Sequence, residues 1–224
     1  MKIYIVGSGK LANAIRSSEL SFHSCEIAKW EAAHNLNEKT ILVHAGSGRQ
    51  LKECIEFCKR TDSTFIELST GLETEKMNPN FTLIVCPNTS ILVLKALSIM
   101  KQFGNYFEND KISILESHQS SKKSEPGTAF NFAHSLKFPV NQIRSIRDPE
   151  TQLNEIGIPN EFLDKHAFHK IVIEDGLDQL TIETKVLGHD SYANGLKKII
   201  DAVLKSPLEK RRYSVLELID KNML

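Results

Sequence analysis

Residues Lys2-Ile-Tyr-Ile-Val-Gly-Ser-Gly-Lys-Leu-Ala12 decide how this chain is read. Lys2 to Val6 is a short β-rich run, and Lys10 to Glu19 reads as a helix. Between them stands the pattern G-x-G-x-x-A. Gly7 permits a tight turn, Gly9 lets a pyrophosphate approach the backbone, and Ala12 keeps the helix close to the sheet. The helix start, at Lys10 and Leu11, offers unpaired N–H donors to an anion. Strand, glycine loop and helix in this order point to a dinucleotide site with Gly7, Gly9, Lys10 and Leu11 as its first contacts.

The same rhythm continues through the first hundred residues. Ser24 to Ala28, Thr40 to Ala45, Thr64 to Leu68 and Phe81 to Cys86 read as strands. Arg49 to Arg60 and the apolar run Ser90 to Phe103 read as helices. Short β-rich runs separated by helices imply parallel strands buried on both faces, a Rossmann-type doubly wound α/β sheet whose ligands sit beyond the carboxyl ends of its strands. Lys29 after the second strand favours NADPH and Glu31 favours NADH, so the cofactor stands as NADH or NADPH. His44, at a strand end, falls on that carboxyl side; its reading is inert or a replacement for an acidic residue. Asn88 and Ser90 suit a helix cap, and Asn88 equally suits a cofactor contact.

After about Asn105 the pattern changes. Lys111 to Leu115, Gln142 to Arg147, His166 to Glu174 and Gln179 to Leu187 read as strands, with Asp175-Gly176 as a hairpin turn. Helices are expected over Gly127 to Leu136, Tyr192 to Leu204 and Tyr213 to Lys221. This is a second, smaller α+β domain on a mixed or antiparallel sheet. The expected division is residues 1–107 with 206–224, and residues 108–205. His166 and His169 lie three apart on a strand and face opposite sides. The expectation is one satisfied and one exposed histidine, with no shared metal. Phe130 and Phe132 are read as core.

Bulk properties exclude several classes. Hydrophobic residues make up 41% and charged residues 25% of the 224, as in an ordinary globular chain. Twenty-eight basic residues balance 28 acidic ones, so no global field favours nucleic acid or an anionic membrane. The basic stretch Lys205 to Arg212 reads as a solvated surface. No apolar run reaches the ~20 residues of a bilayer span, and the first residues lack a signal-peptide layout. Cys54 and Cys58 lie one helical turn apart without further ligands at zinc spacing; free buried thiols are the expectation, and with them a cytoplasmic protein.

The remaining chemistry gathers in Glu116-Ser-His-Gln-Ser-Ser-Lys-Lys-Ser-Glu-Pro-Gly-Thr-Ala129. His118 leaves a strand end and Lys122 follows in the loop. Pro126 suits the first turn of a helix, where Gly127 and Thr128 would offer free backbone N–H groups and a hydroxyl. A cation, two amides and a hydroxyl suit a carboxylate, and a histidine can supply a proton near neutral pH.

This stretch resembles the signature E-x-H-H-x-x-K-x-D-x-P-S-G-T-A of the dihydrodipicolinate reductase family, matching it at Glu116, His118, Lys122, Pro126, Gly127, Thr128 and Ala129. Cys86-Pro-Asn-Thr-Ser90, Ser69-Thr-Gly71, Tyr192-Ala-Asn-Gly195 and Tyr213 to Leu218 resemble further family blocks in the same order. The resemblance implies His118 as general acid and Lys122 as catalytic, carboxylate-binding cation. It implies Gln119, Gly127 and Thr128 as substrate contacts, and Ser69, Thr70, Gly71, Pro87 and Asn88 along the nicotinamide. The implied reaction is hydride transfer from NAD(P)H to a cyclic imine dicarboxylate in lysine biosynthesis, in a tetramer assembled through the second domain's sheet. The sequence departs from the family in several places. Gln119 stands for the second histidine, the serine between Pro126 and Gly127 is absent, and His44-Ala-Gly46 replaces D-F-T. These departures favour two alternatives: a reductase for another imine or enamine acid, and a non-catalytic nucleotide-binding descendant.

Overall fold

The computed structural model of the protein describes residues 1–17, 25–30, 37–122, 124–188 and 190–224. Glu31, and the element ends expected at Glu19 and Ser24, lie outside the described residues. The chain divides into two compact units, Met1–Ile91 with Tyr192–Leu224, and Leu92–Ser191.

In the first unit, strands β1 (Lys2–Val6), β2 (Glu26–Lys29), β3 (Ile41–His44), β4 (Thr64–Glu67), β5 (Leu83–Val85) and β10 (Arg212–Ser214) form one sheet in the order β10-β5-β4-β3-β1-β2. Every pairing is parallel. Ile3, Ile5, Ile41, Val43, Ile66 and Ile84 line one face and are buried, while Tyr4, Val6, Leu42, Phe65, Leu83 and Val85 are buried on the other. Burial on both faces is why these strands read as continuous apolar runs rather than alternating ones. Helix α1 (Lys10–Ser17) buries Ala12 and Ile15. Helix α2 (Leu51–Thr61) carries Leu51, Cys54, Ile55, Phe57 and Cys58 into the cluster around Tyr4, Trp30 and Phe65. Cys54, Cys58 and Cys86 are buried free thiols. The strand order reverses between β1 and β3, the position where such sheets open a ligand crevice.

Tyr213 does not begin a helix, as the pattern suggested. Arg212–Ser214 pairs beside β5 as the edge strand, and the shorter helix α7 (Val215–Asp220) follows. Its start is a capping box: Ser214 Oγ accepts from the Glu217 N–H, and Glu217 accepts from the Ser214 N–H. The spacing S-x-x-E is the signature of that motif.

In the second unit, β6 (Lys111–His118), β7 (Arg144–Ile146), β8 (His166–Asp175) and β9 (Asp178–Leu187) form a sheet in the order β7-β6-β8-β9. β6 and β7 are parallel and the other pairs antiparallel, so the sheet is mixed. The β8–β9 loop places Gly176 at φ +60, a conformation glycine adopts without strain. The strand expected from Gln142 starts later because Val140–Gln142 forms a 3-10 turn. A helix that the pattern missed, α5 (Pro149–Asn154), is announced by Asp148-Pro149: Asp148 caps the Thr151 N–H at 2.8 Å and proline occupies the first turn.

The units divide near residues 91 and 192, where the sequence pattern placed boundaries near 107 and 205. Two close approaches account for this. A Cβ on Gly104, past the end of α3 (Ile91–Phe103), would lie 2.3 Å from the Ser135 carbonyl at the end of α4 (Gly127–Ser135). A Cβ on Gly195, in α6 (Asp190–Lys205), would lie 1.6 Å from the Thr89 carbonyl, and Thr89 Oγ1 donates to the Tyr192 carbonyl at 2.8 Å. The first contact joins α3 to the second unit, and the second joins α6 to the first.

Candidate active site

At the carboxyl end of β1, Gly7 has φ +116, and a Cβ there would lie 2.4 Å from the Ala45 carbonyl oxygen. Ala45 N–H donates to the Val6 carbonyl at 2.9 Å, so the turns after β1 and β3 touch. Glycine is obligatory at this contact. A Cβ on Gly9 would meet nothing within 4 Å, which is the open approach a pyrophosphate needs. Arg16 donates to the Gly7 carbonyl at 2.8 Å and braces the loop from α1. Lys10 is exposed at the start of α1, Leu11 is half-buried, and Lys29 is exposed at the end of β2. These residues fit a dinucleotide.

Ser69, Thr70 and Gly71 follow β4, and Pro87 and Asn88 follow the adjacent β5, so the fold brings these residues to one edge of the sheet. Ser69 N–H donates to Glu67 Oε1 at 2.7 Å, and Ser69 Oγ accepts from the Ser47 N–H at 3.1 Å. Gly71, at φ +73, donates to Glu75 at 2.7 Å. Thr70 and Pro87 are exposed. Asn88 Oδ1 accepts from the Ser90 N–H at 2.8 Å, which is a capping role before α3. His44 is not inert. It is fully buried, with Nδ1 at 2.8 Å from Glu67 Oε1 and Nε2 at 3.0 Å from the Arg49 carbonyl.

In the second unit, β6 delivers Glu116 and His118 on one face, because residues two apart on a strand share a side. Glu116 is fully buried. Its Oε2 meets His118 Nδ1 at 2.6 Å and its Oε1 accepts from Arg147 at 2.6 Å. Burial alone would raise the carboxyl pKa. Hydrogen bonds from His118, Arg147 and Ser145 override it and hold the pKa at about 2. Glu116 is therefore a carboxylate, and His118 Nδ1 is the donor toward it. That leaves Nε2 as the ring atom available for chemistry, and no described residue engages it. Gln152, on α5, donates to the His118 carbonyl at 2.7 Å and ties the strand end down.

His169 stands directly across from Glu116 in the β6–β8 register. Its ring meets the His118 ring edge-on at 5.8 Å and the Phe132 ring at 5.8 Å. Burial, and after it the charges of His118 and Lys122, push its pKa down to about 3, so it is a neutral wall. His166 faces the other side, accepting from Ser117 Oγ at 2.9 Å while Nδ1 donates to the Phe162 and Leu163 carbonyls. The expectation of opposite faces holds. The expectation that one histidine is exposed does not, since both are buried.

The loop after His118 turns at once, with the Lys122 N–H donating to the Gln119 carbonyl at 3.0 Å. Lys122 and Gln119 are half-buried. Lys122 Nζ donates to Ser124 Oγ at 3.0 Å. Burial and then the Arg147 charge lower its pKa. The cradle differs from the expected one. Pro126 precedes α4 instead of entering it, at φ −81 and ψ 72. Gly127 N–H is not free, because it donates to the Glu125 carbonyl at 3.0 Å. That is an inverse γ-turn centred on proline. Thr128 is the second residue of α4. Arg147 and His169 were missed by sequence reasoning, because strand partners sit far away in the chain. The histidine–arginine relation to Glu116 becomes visible only with the β6–β7 and β6–β8 registers in hand.

The family model "Dihydrodipicolinate reductase, C-terminus" matches residues 92–219. The chain belongs to the dihydrodipicolinate reductase family. The chain is 32% identical over 143 residues to the chloroplastic 4-hydroxy-tetrahydrodipicolinate reductase 2 of Arabidopsis thaliana, covering 58% of this chain and 40% of that one. It is 22% identical over 209 residues to 4-hydroxy-tetrahydrodipicolinate reductase of Rickettsia canadensis, covering 85% and 87%. The match thus spans less than half the length of the plant relative. Among solved structures, a dipicolinate-bound dihydrodipicolinate reductase from Paenisporosarcina sp. TG-14 aligns over 97% of this chain and 98% of that one, with a TM-score of 0.65 and 16% identity. Membership of the dihydrodipicolinate reductase family thus extends to the two-unit α/β fold. Among the described residues no helix is long and apolar enough to cross a membrane.

Proposed function

We propose that this chain is an NAD(P)H-dependent reductase that reduces 4-hydroxy-tetrahydrodipicolinate, an unsaturated cyclic imine dicarboxylate, to tetrahydrodipicolinate in lysine biosynthesis. The observation that carries the reading is the Glu116–His118 pair beside Lys122. A buried carboxylate holds one imidazole nitrogen and leaves the other unengaged, with a half-buried ammonium in the same loop. Bound NADH or NADPH would supply the hydride. Gly7, Gly9, Lys10 and Leu11 would hold its pyrophosphate half, with Ser69, Thr70, Gly71, Pro87 and Asn88 along its nicotinamide half and Lys29 at the ribose. Lys122 fixes a substrate carboxylate, and Gln119 and Thr128 reach the other polar groups. The 4-hydroxyl of the substrate leaves as water, and His118 would deliver a proton from Nε2 as hydride adds to the resulting unsaturated ring, so one double bond gains both hydrogens. Glu116 stabilises the imidazolium before transfer. Assembly through the second unit's sheet, whose long edge strand β9 is largely exposed, belongs to the same proposal.

The test is oxidation of NADH and NADPH by the purified protein with enzymatically generated 4-hydroxy-tetrahydrodipicolinate, beside His118→Ala. Turnover lost in the variant supports the reading, and turnover that survives in His118→Ala refutes it. One observation favours a second reading, a reductase for a different imine acid. The γ-turn at Pro126 takes the Gly127 amide out of the carboxylate cradle, and Gln119 cannot carry charge. Cofactor binding with no turnover on this substrate would shift the proposal there. A non-catalytic nucleotide-binding role would instead leave the Lys122→Ala variant indistinguishable from the parent in every assay.

A further inference from the structure

His44 and Glu67 are the last residues of β3 and β4 and are register partners. Both are 0% exposed. The Arg49 carbonyl can only accept a hydrogen bond, so His44 Nε2 must carry a hydrogen. Nδ1 faces Glu67 Oε1, which already accepts the Ser69 N–H. One further proton must therefore lie between His44 and Glu67; without it, two lone pairs would face each other at 2.8 Å in a buried site.

Two loops hang on that proton. The first is the turn after β3, where Ser47, Gly48 and Gln50 all take positive φ, at 51, 87 and 60. Non-glycine residues hold such angles only where the surroundings enforce them. The Arg49 carbonyl on His44 is one such enforcement. Gly46 permits it, because a Cβ there would lie 2.8 Å from His44 Nε2. The second loop begins at Ser69, whose N–H is held by Glu67 and whose hydroxyl accepts from Ser47. Both loops lie at the carboxyl ends of neighbouring strands, beside the Gly7 turn.

We infer that His44 and Glu67 are positioning residues, a one-proton clamp that sets the Ala45–Gln50 turn and the Ser69–Gly71 loop to receive the nicotinamide half of the cofactor. This rests on the cofactor reading proposed above. Affinity for the cofactor should then depend on the clamp's proton. Burial lowers the His44 pKa, but the hydrogen bond to Glu67 and its charge outweigh burial and raise it. The clamp is therefore closed at and below ordinary histidine pKa and opens as pH rises through the raised value. Around the pair, β1 contributes Val6 and β4 Phe65, which do not titrate. The turn contributes the Arg49 charge, and α2 contributes Cys54, whose thiol burial pushes up to about 12.

The experiment is calorimetric titration of the full chain with NADPH and with NADH from about pH 6 to about pH 9.5. Glu67→Gln and the double variant His44→Leu/Glu67→Met are run beside the parent. Apolar replacement of both partners spares a buried pair's desolvation and keeps the chain folded. The parent's Kd should rise with pH toward about tenfold per unit, the slope of one linked proton. Both variants should bind at least about tenfold more weakly at pH 6 and lose that slope. A parent Kd that is flat with pH, or a slope retained in the variants, overturns the clamp and leaves the cofactor reading standing. A parent that binds neither cofactor at any pH overturns the cofactor reading, and the clamp's role falls with it.

Discussion

His44 meets Glu67 at 2.8 Å in the first unit, and His118 meets Glu116 at 2.6 Å in the second. Both contacts run from Nδ1 to a carboxylate with no exposure to solvent. The difference lies at the other ring nitrogen. The Arg49 carbonyl occupies Nε2 of His44, whereas no described residue occupies Nε2 of His118. The carboxylates differ too, since Glu116 shares its charge with Arg147 whereas Glu67 Oε1 is met by His44 and the Ser69 N–H. The same pair of residue types thus makes a lock when both nitrogens are consumed, and leaves one nitrogen open for the proposed proton transfer when only one is held.

Several changes would break or sharpen this contrast. The largest effect belongs to His118→Gln, which should lower kcat by about 10²- to 10⁴-fold, the range of a lost general acid. Its cofactor Kd should stay within about twofold, and a matching loss of cofactor affinity would erase the distinction between the two pairs. Glu116→Gln should come next. It leaves Arg147 facing a neutral group and should lower unfolding free energy by about 3 kcal/mol, read from chemical denaturation, with turnover falling about tenfold or more. Lys122→Ala should raise KM about tenfold with cofactor Kd unchanged, read from steady-state kinetics. Lys111→Ala, which removes the exposed partner of Glu174 at 2.9 Å, should leave the thermal midpoint where it is.

The pH dependence separates the units most directly. Glu116, with its pKa depressed from 4.5 to about 2, stabilises the fold above 4.5, and that contribution drains away as pH falls toward 2. His169, depressed from 6.5 to about 3, stabilises above 6.5 and likewise loses its contribution on acidification. His44 is raised, so its contribution is complete below 6.5 and is lost as pH climbs through the raised value. The second unit should therefore weaken in acid and the first in alkali. Trp30, the sole tryptophan and buried in the first unit, reports one transition by fluorescence. Amide exchange along β8 reports the other. A single transition shared by both probes at both ends of the pH scale would contradict this.

Much of the fold was legible because parallel strands buried on both faces leave apolar runs, and Gly7-Ser-Gly9 sits where a strand turns into a helix. β10 was not, because three residues at a sheet edge carry no periodicity. α5 was hidden for the opposite reason: its cap was legible in Asp148-Pro149, but six residues are too few for a helical pattern. At the site, His118 and Lys122 stood out by type and spacing within one loop. Arg147, His169 and the Glu67 partner of His44 did not, since each arrives from a neighbouring strand or the loop beyond it. The Gly127 amide was misjudged because the backbone folds back on itself at Pro126, so that this N–H meets the Glu125 carbonyl.

The edge strand β10 also orders events in time. Residues 92–191 are contiguous, so the second unit can complete itself while the rest of the chain is still being made. The sheet of the first unit cannot be finished until Arg212–Ser214 leaves the ribosome and docks beside β5. Bonding Thr89 to Tyr192 across about a hundred loose residues would carry a large closure entropy, which grows with loop length. A second unit already folded shortens that search to the meeting of two tethered ends. The topology therefore predicts an inside-out order of folding, with the inserted unit maturing first and the sheet of the first unit sealed last at its rim.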